Sequence, residues 1–398
     1  HQVIEMGLVK LYRVTGEKRY LDLAKFFLDA RGTRDDGEEY SQSHIKVVDQ
    51  TEAVGHSVRA TYMYSGMADV AAILGDEAYI NAIKKIWEDL VYRKMYITGG
   101  IGASGGNEGF AEPYHLPNMS AYCETCASIG DIFFNHRLFS LHGEGKYFDI
   151  LEKTLYNGAL SGVNLAGDRF FYPNPLESNG QHERSAWFGC ACCPSNVCRF
   201  IPAIPGYIYS VTDKDLYVNL FASNNADIEL GKRNVRISQE TNYPWEGKVT
   251  MIIDPEKAGK FTVRIRIPGW ARNEAIPGNL YSFAGQTDEK HNLTVNGEKT
   301  EAPVDNGYAV ITRKWLPGDR IELDLPMPVR TVLADGKVKD DEGKYAVQRG
   351  PLMFCAEWPD NADGHVLGLV VDENPEFAAA YSPEILNGTE VITTRARQ

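Results

Sequence analysis

The apolar residues of this chain change their spacing once, near residue 205, and only a fold that joins a helical half to a β half accommodates that change. Upstream they recur every three or four positions. "EMGLVKLYRVTG" and "KRYLDLAKFFLDARG" each carry one apolar stripe, and the second ends in Arg-Gly, a helix stop. "TEAVGHSVRATYMYSGMADVAAILGD" reads as a longer helix with Thr51 as its N-cap. "EAYINAIKKIWEDLVYRK", "CASIGDIFFNHRLFSLHG" and "KYFDILEKTLYNGALSG" continue the series, for six or seven helices in all. Helix, short Gly-containing turn, helix is the repeated form, and it stacks into antiparallel pairs that build bundles, solenoids or closed α/α toroids.

From about Tyr207 the period is two. "DLYVNLFAS", "NVRISQET", "KVTMIIDP", "KFTVRIRIPGW", "GYAVITRKW", "DRIELDLPMPVRTVL" and "KYAVQRGPLMFCAEW" are expected strands, split by Gly, Asn, Asp and Pro turns. Strands at this spacing indicate antiparallel β-sandwiches. The fold class expected is therefore α+β multidomain: a helical domain over residues 1–205, a β-sandwich over 206–335 and part of a second sandwich over 336–398. No basic or Gly/Ser-rich linker separates the halves, so they are expected to pack directly. "HQVIEM" opens without a capping sequence and "EVITTRARQ" ends like a strand, so a longer polypeptide is expected.

Charge narrows the partners. A net charge of −13 argues against nucleic acid and against an anionic membrane, since phosphate binding needs a basic surface. No apolar run approaches membrane-spanning length.

The chemistry concentrates in "FGCACCPSNVC", which holds four of the seven cysteines, Cys190, Cys192, Cys193 and Cys198. Cys123 and Cys126 lie upstream in "AYCETCASIG", and Cys355 stands alone. An odd, clustered set in a chain with ample core points to metal or catalysis; buried free thiols and a disulfide are the alternatives at this point. Glu124 and Cys126, two apart, would face about 200° apart on a helix, so sharing one ion requires the helix to begin after Glu124. Adjacent Cys192 and Cys193 are expected to need an extended or kinked backbone, toward which Pro194 biases Cys193. Both segments are expected as loops feeding helix N-termini, a setting that lowers thiol pKa.

Together, "GGIGASGGNEGFAEPYHLPNMSAYCETCASIG", "LYNGALSGV", "FFYPNPLES" and "WFGCACCPSN" resemble glycoside hydrolase family 127, the β-L-arabinofuranosidases. The resemblance extends through "HQVIEMGLVKLYRVTG" and "VVDQTEAVGHSVRATYMYSGMADVA", and more loosely into the β half. It implies an (α/α)6 barrel, its N-terminal part lying upstream of His1, followed by β-sandwich domains. It also implies a retaining exo-glycosidase that releases L-arabinofuranose from plant cell-wall glycans, with Zn2+ as cofactor and an oligosaccharide or glycoconjugate as substrate. Carried over residue by residue, it makes Glu124, Cys126, Cys192 and Cys193 the zinc ligands, Cys192 the nucleophile and Glu108 the acid/base. It places His56, Glu152 and Tyr172 at the sugar, with His44 and His1 as further contacts. A homodimer, and either a bacterial cytoplasm or a periplasm, are compatible with it.

The chemistry is consistent. A thiolate would replace the nucleophilic carboxylate of ordinary retaining enzymes, and a zinc ion holds thiols deprotonated near neutral pH. The loop after Glu108 reads "GFAEPYHLPN", without the acidic pair around the tyrosine that the arabinofuranosidases carry. That departure bears on sugar specificity, and the family also includes hydrolases of other L-sugars such as aceric acid in pectic rhamnogalacturonan II. Two further readings stand beside it: a non-catalytic carbohydrate-binding protein with a structural zinc, and a lyase or isomerase on an α/α barrel. On the residues alone, His56 also reads as a core histidine, Glu152 as an exposed helix residue and Tyr172 as packing beside Phe170 and Phe171.

Overall fold

The computed structural model describes residues 1–361, 365–372 and 375–397, so Gln398, at the end of the last expected strand, lies outside them. The described residues form seven α-helices, all before residue 201: α1 (Ile4–Thr15), α2 (Lys18–Asp29), α3 (Ser57–Leu74), α4 (Glu77–Asp89), α5 (Thr125–His142), α6 (Gly145–Lys153) and α7 (Cys192–Phe200). Helices α1, α3 and α5 each stop at a glycine in the left-handed region, Gly16, Gly75 and Gly143, as a C-terminal cap requires. α3 and α5 are buried along most of their length. They meet closely at Gly130, where a Cβ would lie 3.1 Å from the Tyr62 ring and overlap Thr61. No helix is long and apolar enough to cross a membrane among the described residues.

Helix α3 starts five residues later than expected. Thr51 is not its N-cap: Gly55 turns the chain at φ 70°, where a side chain would collide with the Glu39 carbonyl. His56 caps the helix instead, its Nδ1 accepting the Val58 N–H at 3.2 Å.

The β half holds two facing sheets. One runs Tyr209–Val211, Asp215–Val218, Gly259–Arg266, Tyr308–Trp315, Val304–Asp305; the other runs Asn224–Leu230, Arg233–Thr241, Lys248–Pro255, Asp319–Asp324, Asn292–Val295, Glu298–Lys299. Ile237, Met251, Ile253 and Ile321 of the second sheet share a core with Leu216, Val263, Ile265 and Trp315 of the first. Pairing is antiparallel except between Asp215–Val218 and Gly259–Arg266, which run parallel, a pairing that alternation alone does not reveal. The boundary expected at residue 335 falls inside a third sheet, where Val329–Ala334 pairs with both Ala346–Arg349 and Tyr281–Phe283.

The halves are joined by buried charge. Arg266, fully enclosed, reaches from the first sheet to α6. Its Nη1 lies 2.9 Å from Asp149, Nη2 bonds Glu152, and Nε donates to the Asn219 carbonyl at 2.6 Å. The Tyr243 hydroxyl donates to the same Glu152 carboxylate at 2.7 Å. Glu152, expected at the sugar, is 1% exposed and already holds an arginine and a tyrosine. Its carboxylate serves this joint, which corrects the expectation of a sugar contact.

Candidate active site

Two helix N-termini converge. Glu124 immediately precedes α5 without its side chain capping the helix, and Cys126 is the second helical residue. Cys192 and Cys193 open α7. Cys193 is thus helical despite Pro194, contrary to the expectation of an extended backbone. A proline in the first turn removes only an N–H that has no intrahelical partner, so it costs the helix no hydrogen bond there. The positive ends of both helices face the cluster, where they favour anions.

One ligand atom from each of Glu124, Cys126, Cys192 and Cys193 lies within 4.8 Å of all the others. The sulfurs of Cys126 and Cys193 are 3.6 Å apart and those of Cys192 and Cys193 3.8 Å. Glu124 Oε1 is 3.4 Å from Cys192 and 3.7 Å from Cys193. Bonded sulfurs would be about 2.0 Å apart, and all seven cysteines are free. Four ligands around a tetrahedral ion with Zn–S bonds near 2.3 Å would place their sulfurs about 3.8 Å from one another. The spacing fits that group.

Electrostatics point the same way. Burial and the Cys192 sulfur push the Glu124 carboxyl up to about 9. Cys126 is raised by its contact with Cys192, and Cys193 by its contacts with Cys126 and Cys192. Cys192 is held well below the usual thiol range by the sulfurs of Cys126 and Cys193. Glu124 Oε2 is buried without a hydrogen-bond partner, an orphan that a cation would satisfy. Glu124, Cys126 and Cys193 are 1%, 3% and 0% exposed, whereas Cys192 is half-buried and is the most exposed of the three cysteines.

Beside this cluster stands Glu108, with a carboxylate oxygen within 4.8 Å of Glu124 and of His56. Glu108 lies in the left-handed region at φ 50°, and its carbonyl accepts from Ser57 N–H at 3.1 Å and Ser57 Oγ at 3.0 Å. That pins a strained residue to the start of α3. His56 Nε2 is 3.1 Å from Glu108 Oε2. Because Nδ1 accepts a backbone N–H, the neutral ring carries its proton on Nε2 and donates it to Glu108. Burial holds His56 below its usual pKa, which favours that neutral form.

Tyr172 lies against Cys192, and burial together with that sulfur raises its hydroxyl. Tyr122 packs at 6.0 Å from Tyr172 and reaches Glu108. The ring of His1 is 6.4 Å from that of His56. His44 is half-buried in the loop after Tyr40, with Nδ1 enclosed and unpartnered, and Tyr40 rather than His44 packs edge-on against His56, ring centres 5.5 Å apart. Sequence reasoning missed Tyr122, Tyr40, Tyr62 and Arg199. The last two bond to each other at 2.9 Å and share Asn196 beside the cluster. The signal that was available is position: Tyr122 directly precedes Cys123, and Arg199 follows Cys192 by two helical turns.

The family profile described as "Beta-L-arabinofuranosidase, GH127 catalytic domain" matches residues 1–206. The chain belongs to glycoside hydrolase family 127. The family's middle-domain and C-terminal-domain profiles match residues 215–327 and 329–390. A "Non-reducing end beta-L-arabinofuranosidase" of Bifidobacterium longum subsp. longum is 35% identical across 98% of this chain. A solved GH127 β-arabinofuranosidase superposes over the whole chain at 54% identity with a TM-score of 0.97. A GH127 β-L-arabinofuranosidase from Geobacillus stearothermophilus does so at 41% and 0.91. The chain spans 63%, 62% and 65% of these three proteins respectively.

Proposed function

We propose that this chain carries the catalytic centre of a retaining glycosidase that releases L-arabinofuranose from the non-reducing ends of plant glycans, in a helical domain built as an (α/α)6 barrel. One observation carries the reading: three sulfurs and a carboxylate at ligand spacing, with Cys192 the one of the three cysteines that is not buried and the Glu108 carboxylate beside them. Glu124, Cys126, Cys192 and Cys193 would hold the zinc ion. When bound, the ion keeps the thiols deprotonated at neutral pH.

Cys192 then attacks the anomeric carbon. A C–S bond forms, the glycosidic C–O bond breaks, and its electron pair leaves on the departing oxygen, which takes a proton from Glu108. His56 donates to Glu108 Oε2 and so leaves Oε1 to carry that proton. In the second step Glu108 takes a proton from water, the water oxygen bonds to carbon, and the C–S bond breaks to return the thiolate. Two displacements give net retention. Tyr172, against the sulfur, steadies the thiolate as it leaves and returns.

The test is Cys192→Ser assayed on an aryl β-L-arabinofuranoside, with sugar binding followed by calorimetry. Turnover should fall at least about a thousandfold while binding persists. Turnover near the unsubstituted level would overturn the mechanism. No turnover by the unsubstituted protein, with binding retained, would favour the carbohydrate-binding alternative.

A further inference from the structure

The loop that presents Glu124 is held by a residue outside the chemistry. Asn174 stands two residues after Tyr172, and its Nδ2 donates to the Cys123 carbonyl at 2.8 Å and to Thr125 Oγ1 at 3.0 Å. It therefore grips the residues on both sides of Glu124. Its backbone N–H donates to the Tyr122 carbonyl at 2.9 Å. Its Oδ1 accepts from Ser161 Oγ at 3.2 Å, which fixes the amide with its donors toward the loop.

The loop needs such a grip. Cys123 lies at φ 40°, a conformation that an L-residue keeps only when its surroundings impose it. Its N–H donates to the Gly102 carbonyl at 2.8 Å, and its own carbonyl is the one Asn174 holds. Thr125 is fixed as firmly. Its N–H donates to the Tyr172 carbonyl at 3.0 Å and its Oγ1 to the Phe171 carbonyl at 2.8 Å. Gly162 lies so close beneath it that a Cβ there would overlap the Thr125 side chain. One amide thus ties the Glu124 loop to the segment that carries Tyr172.

We infer that Asn174 is a positioning residue: it sets the aim of the Glu124 carboxylate into the sulfur cluster and couples that aim to Tyr172. This rests on the zinc-thiolate reading above. Asn174→Asp keeps the shape, removes both donors and sets a carboxylate against the Cys123 carbonyl. Zinc affinity, measured by chelator competition on the full chain, should fall on the order of 10–100-fold, as when groups supporting a metal ligand are lost. The thiolate-to-metal absorption of the cobalt-substituted protein should shift with it. Thr125→Val removes one of the two acceptors, and the same readouts should move less in the same direction. A purely structural role would lower the melting temperature of both variants and leave affinity and spectrum unchanged, which would overturn the inference. Where Asn174→Asp does not fold, Thr125→Val decides by those two readouts. If the unsubstituted protein binds no zinc, the underlying reading fails; if it binds zinc and the variants bind it equally well, only the role of Asn174 does.

Discussion

His56 uses both ring nitrogens, one to cap α3 and the other to hold Glu108. The acid/base is therefore positioned by the fold itself, through the tautomer that the cap selects. Glu108→Gln removes the transferable proton and keeps the donor–acceptor geometry. Turnover of an alkyl arabinoside should fall about 10²–10⁴-fold, and that of a dinitrophenyl arabinoside, whose leaving group needs no proton, far less. Equal losses on both substrates would deny Glu108 the acid role. The four ligand candidates came from the family resemblance; the clustered cysteines pointed only to metal or catalysis, and the spacing of Glu124 and Cys126 required α5 to begin between them, as it does at Thr125. Glu152 was misread because its partner, Arg266, lies more than a hundred residues away, and a burial that distant leaves no local trace.

Helix α5 carries two titrating groups whose pH effects oppose. Asp131 is fully buried with neither carboxylate oxygen paired, and burial pushes it up to about 8. The folded protein keeps that proton while the unfolded chain releases it near 3.8, so stability falls as pH rises through this window. Burial pushes His136 down to about 4, so the unfolded chain binds the extra proton, and stability falls as pH drops from 6.5 toward that value. Asp131→Asn should flatten the decline between pH 5 and 8 in urea unfolding; an unchanged slope would place the effect elsewhere. At the α3–α5 crossing, Gly130→Ala should cost about 1–3 kcal/mol in the same measurement, since a methyl there meets Tyr62 and Thr61. Helix existence was legible from the period, whereas the start of α3 was not, because a turn at Gly55 hides within an apolar-rich run. The α7 start was misread for another reason: the rule for residues before proline is a preference, and the first helical turn tolerates its breach.

Across the whole molecule, the change of period located the two halves but said nothing of what joins them. Arg266, Asp149 and Glu152 form a buried ion-paired joint, and opening it from one side leaves a charge unpaired. Arg266→Met should lower stability by about 3–5 kcal/mol. Glu152→Gln should lower it too, while KM for an arabinoside stays at its original value; a raised KM would return Glu152 to the sugar site. The centre itself is open to a more direct measurement. Zinc-edge X-ray absorption on the zinc-loaded protein should show three sulfur neighbours near 2.3 Å and one oxygen near 2.0–2.2 Å. A shell of nitrogen and oxygen alone, or of two sulfurs only, would contradict the assembly of Glu124, Cys126, Cys192 and Cys193 around one ion.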